Sequence, residues 1–264
     1  MLMSLSDTPN NTNLNQAQST TLGLSQTIMK TLPRKLREQI YAHILAIGNV
    51  KITVCDGKLP YHIRSRCDRM RTHDSFWDAT DLKHYVDPLC VGTQMADEIA
   101  QSYYKTNTFY FDYHELYLLE KFLTIDRFGR GLRPAHLVQS IEIVLDEQYL
   151  CPCNGNALFF HGLAATNAIA PEAVIRSCLS QLLSLTTESA KISFIVYSLD
   201  RRNRYLDPKH KLVEILSSIM SKLISQGHST SLALYNGAGC QWSIKGSAVR
   251  PIEEVLTESM ARIY

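Results

Sequence analysis

Apolar and polar positions divide the chain into a polar opening stretch and a long run of alternating helical and extended signals. Met1 to about Gly23 is polar, nearly free of charge and aperiodic. Such a stretch buries too little surface to offset chain entropy. A disordered tail is therefore expected over residues 1–23, with a single α/β domain over 24–264. From Leu32 onward apolar residues recur every four positions (Leu32, Leu36, Ile40, Ile44), with Tyr41 and Leu45 widening the stripe. Arg34, Lys35, Glu38 and Gln39 cover the far side. This spacing predicts an amphipathic helix over 31–47, with Thr31 as N-cap, Pro33 in the first turn and an end near Gly48. A stripe of this kind ordinarily packs on the core.

Val50 to Val54 alternates and is rich in β-branched residues, which predicts a strand. Asp56 to Asp87 is polar and turn-rich, and reads as a long loop. Pro88 opens a second helix with Val91, Met95, Ile99 and Tyr103 on one face; a strand follows at Thr108 to Phe111, then a third helix marked by Leu116, Leu119, Phe122 and Leu123. Strands at Ser140 to Leu145, Ile192 to Tyr197 and Ser231 to Tyr235 then alternate with helices at Pro171 to Leu185, Lys211 to Ile224 and Ile252 to Ile263. Near-continuous apolar strands separated by crossover helices predict an α/β fold with a largely parallel sheet, its strands buried on both faces.

Two stretches carry a family likeness. Leu32-Pro33-Arg34-Lys35-Leu36-Arg37-Glu38-Gln39-Ile40-Tyr41 resembles the "LPxELRxxIY" opening of F-box-like proteins of filamentous ascomycete fungi. Pro88-Leu89, then Val91, Gln94, Glu98, Tyr103 and Tyr104, through Thr106-Asn107-Thr108-Phe109-Tyr110-Phe111, resembles that group's "LLxVCRQIxxEAxxxFYxTNTFxF" segment. The likeness extends over Leu32 to Leu145. It departs at Lys35, where the group has an acidic residue, and at Gly92-Thr93, where it has Cys-Arg. The resemblance implies a protein-interaction module, with the adaptor of a cullin-based ubiquitin ligase as a partner and Leu32, Pro33, Leu36, Ile40 and Tyr41 as contact residues. A complete F-box would continue with further helices; here Gly48 and an extended stretch follow instead.

Composition narrows the remaining classes. With 45% apolar and 20% charged residues the chain is of globular type, and a net charge of +2 gives no global pull toward nucleic acid. Two local basic clusters stand out, Arg64, Arg66, Arg69 and Arg71, and Arg201, Arg202 and Arg204. The first precedes Phe76 and Trp77, residues able to stack on bases. Asp68, Asp74, Asp78 and Asp81 dilute its field, so the reading as ordinary surface arginines is preferred over a nucleic-acid contact.

Seven scattered cysteines make an odd number, and reduced thiols in the cytoplasm or nucleus are expected. No apolar run approaches the roughly 20 residues of a membrane span. Cys151-Pro152-Cys153 with His161 is the best metal candidate, but the one-residue gap falls short of the usual C-x₂₋₄-C and no second pair follows, so no metal is expected. His114-Glu115 lacks the second histidine of H-E-x-x-H, and no G-x-S-x-G elbow, dinucleotide loop or P-loop is present. The expectation is a non-enzymatic interaction module without cofactor; the alternatives are a substrate receptor of a cullin-based ubiquitin ligase and an enzyme whose site converges only in three dimensions.

Overall fold

The computed structural model describes residues 10–46, 48–53, 61–64, 82–146, 171–198, 211–236 and 241–245. In chain order the elements are α1 (Asn10–Thr31), α2 (Arg34–Leu45), β1 (Asn49–Thr53), β2 (Tyr61–Arg64), α3 (Lys83–Val86), α4 (Pro88–Val91), α5 (Thr93–Thr106), β3 (Thr108–Asp112), α6 (Leu119–Thr124), β4 (Ser140–Asp146), α7 (Pro171–Ser180), β5 (Lys191–Ser198), α8 (Lys211–Ser225), β6 (Ser229–Asn236) and β7 (Gln241–Lys245). The fold is α/β. One seven-stranded sheet runs β2-β1-β3-β4-β5-β6-β7. The five strands β1, β3, β4, β5 and β6 are parallel, and β2 and β7 close the two edges in antiparallel register.

The parallel strands lie in the order in which the chain makes them. A right-handed crossover that always steps in one direction returns its helix to the same face of the sheet each time. Side chains bear this out. Phe109 packs 4.8 Å from Phe122 of α6 and 5.7 Å from Tyr103 of α5, ring centre to ring centre, and Phe111 lies 5.3 Å from Phe122. The strand register carries that face across as the rows Val50–Phe109–Ile141–Ile192–Thr230 and Phe111–Ile143–Phe194–Leu232, all buried, with Ile52 of β1 buried as well. The other face is different: Lys51, Tyr110, Glu142, Ser193, Ile195, Tyr197, Ser231, Ala233 and Tyr235 are half-buried, and Val144 is buried among them. The expectation of strands buried on both faces is therefore corrected to one helix-covered face and one partly exposed face. Sequential strand order keeps the described crossover helices on the first side.

Four further expectations are revised. Helix α1 occupies residues that were expected to be disordered up to Gly23. Its hydroxyl side chains bond back one turn, Thr20 to Gln16, Thr21 to Ala17 and Ser25 to Thr21, and Ser25 is buried. Thr31 is the last residue of α1, its hydroxyl bonded to the Thr27 carbonyl; Pro33 takes the cap position of α2, without a side-chain cap. The loop expected over 56–87 contains β2 and α3. The helix opened by Pro88 is broken after one turn at Gly92, whose φ of +82° suits glycine and bends the chain from α4 into α5. Asp87 caps that turn by accepting the Leu89 amide at 2.9 Å. Among the described residues no helix is long and apolar enough to cross a membrane.

Candidate functional site

Helix α2 follows α1 after a two-residue break and lies on α5. Its inner face is formed by Arg37, Tyr41 and Leu45, spaced one turn apart and all buried. The Arg37 guanidinium meets the Glu98 carboxylate of α5 in a two-pronged pair, Nε to Oε2 at 2.9 Å and Nη2 to Oε1 at 2.7 Å. Its Nη1 donates to the Leu32 carbonyl at 2.6 Å. One side chain thus ties the α1–α2 junction, α2 and α5 together. The hydrogen bonds from Arg37 hold the Glu98 carboxyl below its ordinary range, and the same bonds raise Arg37 in return. Burial, with the nearby Glu98 charge, pushes the Tyr41 hydroxyl up to about 12.

Because this contact is polar and Tyr-based, the apolar stripe of α2 is left over. Leu36, Ile40 and Ile44 are 46%, 42% and 56% exposed, and Pro33, Lys35, Gln39 and His43 around them are exposed as well. The expected core stripe is thereby corrected. The helix is turned so that Arg37 and Glu98 meet, which rotates the aliphatic row out of the core. Of the contact residues implied by the resemblance, Pro33, Leu36 and Ile40 share this outer face. Leu32 is half-buried with its carbonyl bound to Arg37, and Tyr41 is buried against α5; Tyr41 is therefore removed from the candidate contacts. Ile44, the last member of the same four-residue repeat, joins the surface. Because each is already about half covered, a partner that buries the remainder adds roughly half of the 1.5–3 kcal/mol that complete burial of such a side chain gives.

The remaining candidates do not gather into a site. Arg64 closes β2, while Arg66, Arg69, Arg71, Phe76 and Trp77 lie outside the described residues. So do Arg201, Arg202 and Arg204, the set Cys151, Cys153 and His161, and the helix expected at Ile252 to Ile263. Among the described residues no three His, Cys, Asp or Glu side chains are grouped to hold a metal ion. Asp126 is surrounded by donors, the Tyr104 hydroxyl at 3.3 Å and the amides of Phe128 and Leu132 at 3.1 and 3.2 Å, with the Arg130 amide also bound. These bonds fix the turn after α6 and use up its carboxylate. His228, just before β6, and Thr230 on β6 are buried without a well-formed side-chain hydrogen bond. Comparison of the chain with protein-family models, with curated proteins and with solved structures finds no match in any of the three.

Proposed function

We propose that this protein is a non-enzymatic interaction module whose docking element is the outer face of α2, and that its partner is the adaptor subunit of a cullin-based ubiquitin ligase. One observation carries the reading. The helix that resembles the F-box opening has its inward contacts completed by Arg37, Tyr41 and Leu45, yet presents Leu36, Ile40 and Ile44 to solvent. Clustered large aliphatics on a surface helix mark a face that a partner covers. The partner is drawn from the resemblance at Leu32 to Tyr41. The strand β1 that follows α2 in place of further F-box helices limits the contact to this one helix and its flanks.

The test is co-purification of the tagged protein with cullin-ligase subunits from fungal lysate, beside the variants Leu36→Asp and Ile40→Asp. Circular dichroism confirms that each variant keeps its helices. Adaptor recovered with the native chain and lost with both folded variants supports the reading. Absence of adaptor from the native chain, or equal recovery with the variants, overturns it.

A further inference from the structure

Helix α2 carries two rows of three residues at four-residue spacing, and it buries the less apolar one. Arg37, Tyr41 and Leu45 are buried, while Leu36, Ile40 and Ile44 are exposed. The rows start one residue apart, so they lie about 100° apart around the helix axis. Apolar burial alone favours the aliphatic row, since the other carries a guanidinium and a phenol hydroxyl whose removal from water costs free energy. Another interaction must fix the rotation.

Arg37 supplies it. Its guanidinium and the Glu98 carboxylate are both buried and meet through two hydrogen bonds, at 2.9 and 2.7 Å. The third nitrogen donates to the Leu32 carbonyl at 2.6 Å, in the link between α1 and α2. All three bonds leave from one side chain of α2, so a turned helix loses them together. Turning the aliphatic row onto α5 would set Glu98 against side chains that cannot donate, with only the lesser help of Gln94 on its own helix. A buried carboxylate that has lost its cation is strongly disfavoured.

An intact buried pair, by contrast, contributes little stability beyond an apolar contact in the same place. Its effect falls on the competing rotation, which it excludes. We propose that Arg37 and Glu98 are positioning residues that set the rotation of α2 and so hold Leu36, Ile40 and Ile44 outward. The rotation is a property of this chain alone; its use, presentation of a docking row, rests on the reading of α2 given above.

Hydroxyl-radical footprinting of the full chain, read by peptide mass spectrometry, reports which row is outside. In the native chain Ile40 should be oxidised and Leu45 protected. In Arg37→Met with Glu98→Leu two rotations should share the population, so that oxidation of Ile40 falls about twofold or more and Leu45 becomes reactive. The urea midpoint should stay near the native one. Adding Ile40→Asp to that pair of substitutions makes the aliphatic row unfit for burial again, and Leu45 should return to protection; a merely weakened helix would not be rescued by a charge. An unchanged footprint, a double variant that unfolds, or no rescue by Ile40→Asp would each overturn the proposal. Recovery of the adaptor from fungal lysate should fall with the double variant, and undiminished recovery beside a changed footprint would sever the rotation from docking. Absence of adaptor from the native chain would refute the docking reading alone, because the footprint needs no partner.

Discussion

Helix α8 turns its apolar stripe inward, with Leu212, Ile215, Leu216, Ile219 and Leu223 all buried. Helix α2 carries a row of the same kind and turns it outward, resting on α5 through Arg37, Tyr41 and Leu45. The contrast shows that an apolar stripe marks a face that seeks cover, without saying which molecule supplies it. In α8 the sheet supplies it. In α2 a charged residue occupies the interior, because Arg37 finds in Glu98 a partner that satisfies its planar fork on two sides.

The largest way to break this comparison is to remove the partner of Arg37. Glu98→Ala leaves a guanidinium buried without its counter-charge and should destabilise the fold by about 3–5 kcal/mol in urea unfolding. Replacing both residues, Arg37→Met with Glu98→Leu, should recover most of that loss, since a buried pair contributes little net stability over an apolar contact. A single variant costing under ~1 kcal/mol would mean that α2 is anchored elsewhere. On the α8 side, Leu223→Ala opens a cavity under the sheet and should cost about 3 kcal/mol in the same assay.

Acid separates the two helices by their titrating groups. Burial lowers the His228 pKa below its ordinary 6.5, the Leu185 main chain opposing in part, so the folded protein favours the neutral ring. Stability from this term is complete above pH 6.5 and falls as pH drops from there toward the lower folded value. Glu98 is lowered from 4.5, so its contribution is complete above that pH and is lost only as pH falls through its folded value. Hydrogen exchange at about pH 5.5 should therefore loosen the junction of α8 and β6 while α2 stays protected. Simultaneous loosening would contradict the assignment, and His228→Phe should flatten the first slope. The smallest effect is expected outside: Ile40→Ala should change stability by no more than about 0.5 kcal/mol. A loss as large as that of Leu223→Ala would show that the α2 row is covered within this chain.

Much of the framework was legible along the chain. Strands β3 to β6 carry β-branched and aromatic runs, and α5, α7 and α8 carry helical periodicity, so both kinds of signal survive without tertiary context. The edge strands escaped. Tyr61-His62-Ile63-Arg64 is too short and too polar to stand out, and Gln241-Trp242-Ser243-Ile244-Lys245 alternates but follows the glycine-rich stretch Gly237-Ala238-Gly239. Helix α1 escaped because its composition reads as solvated chain, and its order depends on packing against α4 that no local pattern reveals. At the candidate site the row Leu36–Ile40–Ile44 was visible, but its orientation was not. That depends on a pairing between Arg37 and Glu98, 61 positions apart, and no periodicity encodes a contact of that range.

The unbroken strand order has a further consequence for how the molecule is made. After β1 and β2 pair, β3 joins the free side of β1, and β4, β5, β6 and β7 each join the strand laid down before them, so none must wait for a later segment to be inserted beside it. A chain emerging from the ribosome at roughly 5–20 residues per second can add each strand as it appears. From β3 onward the growing edge is the newest strand, and β7 ends that growth by pairing in the opposite direction.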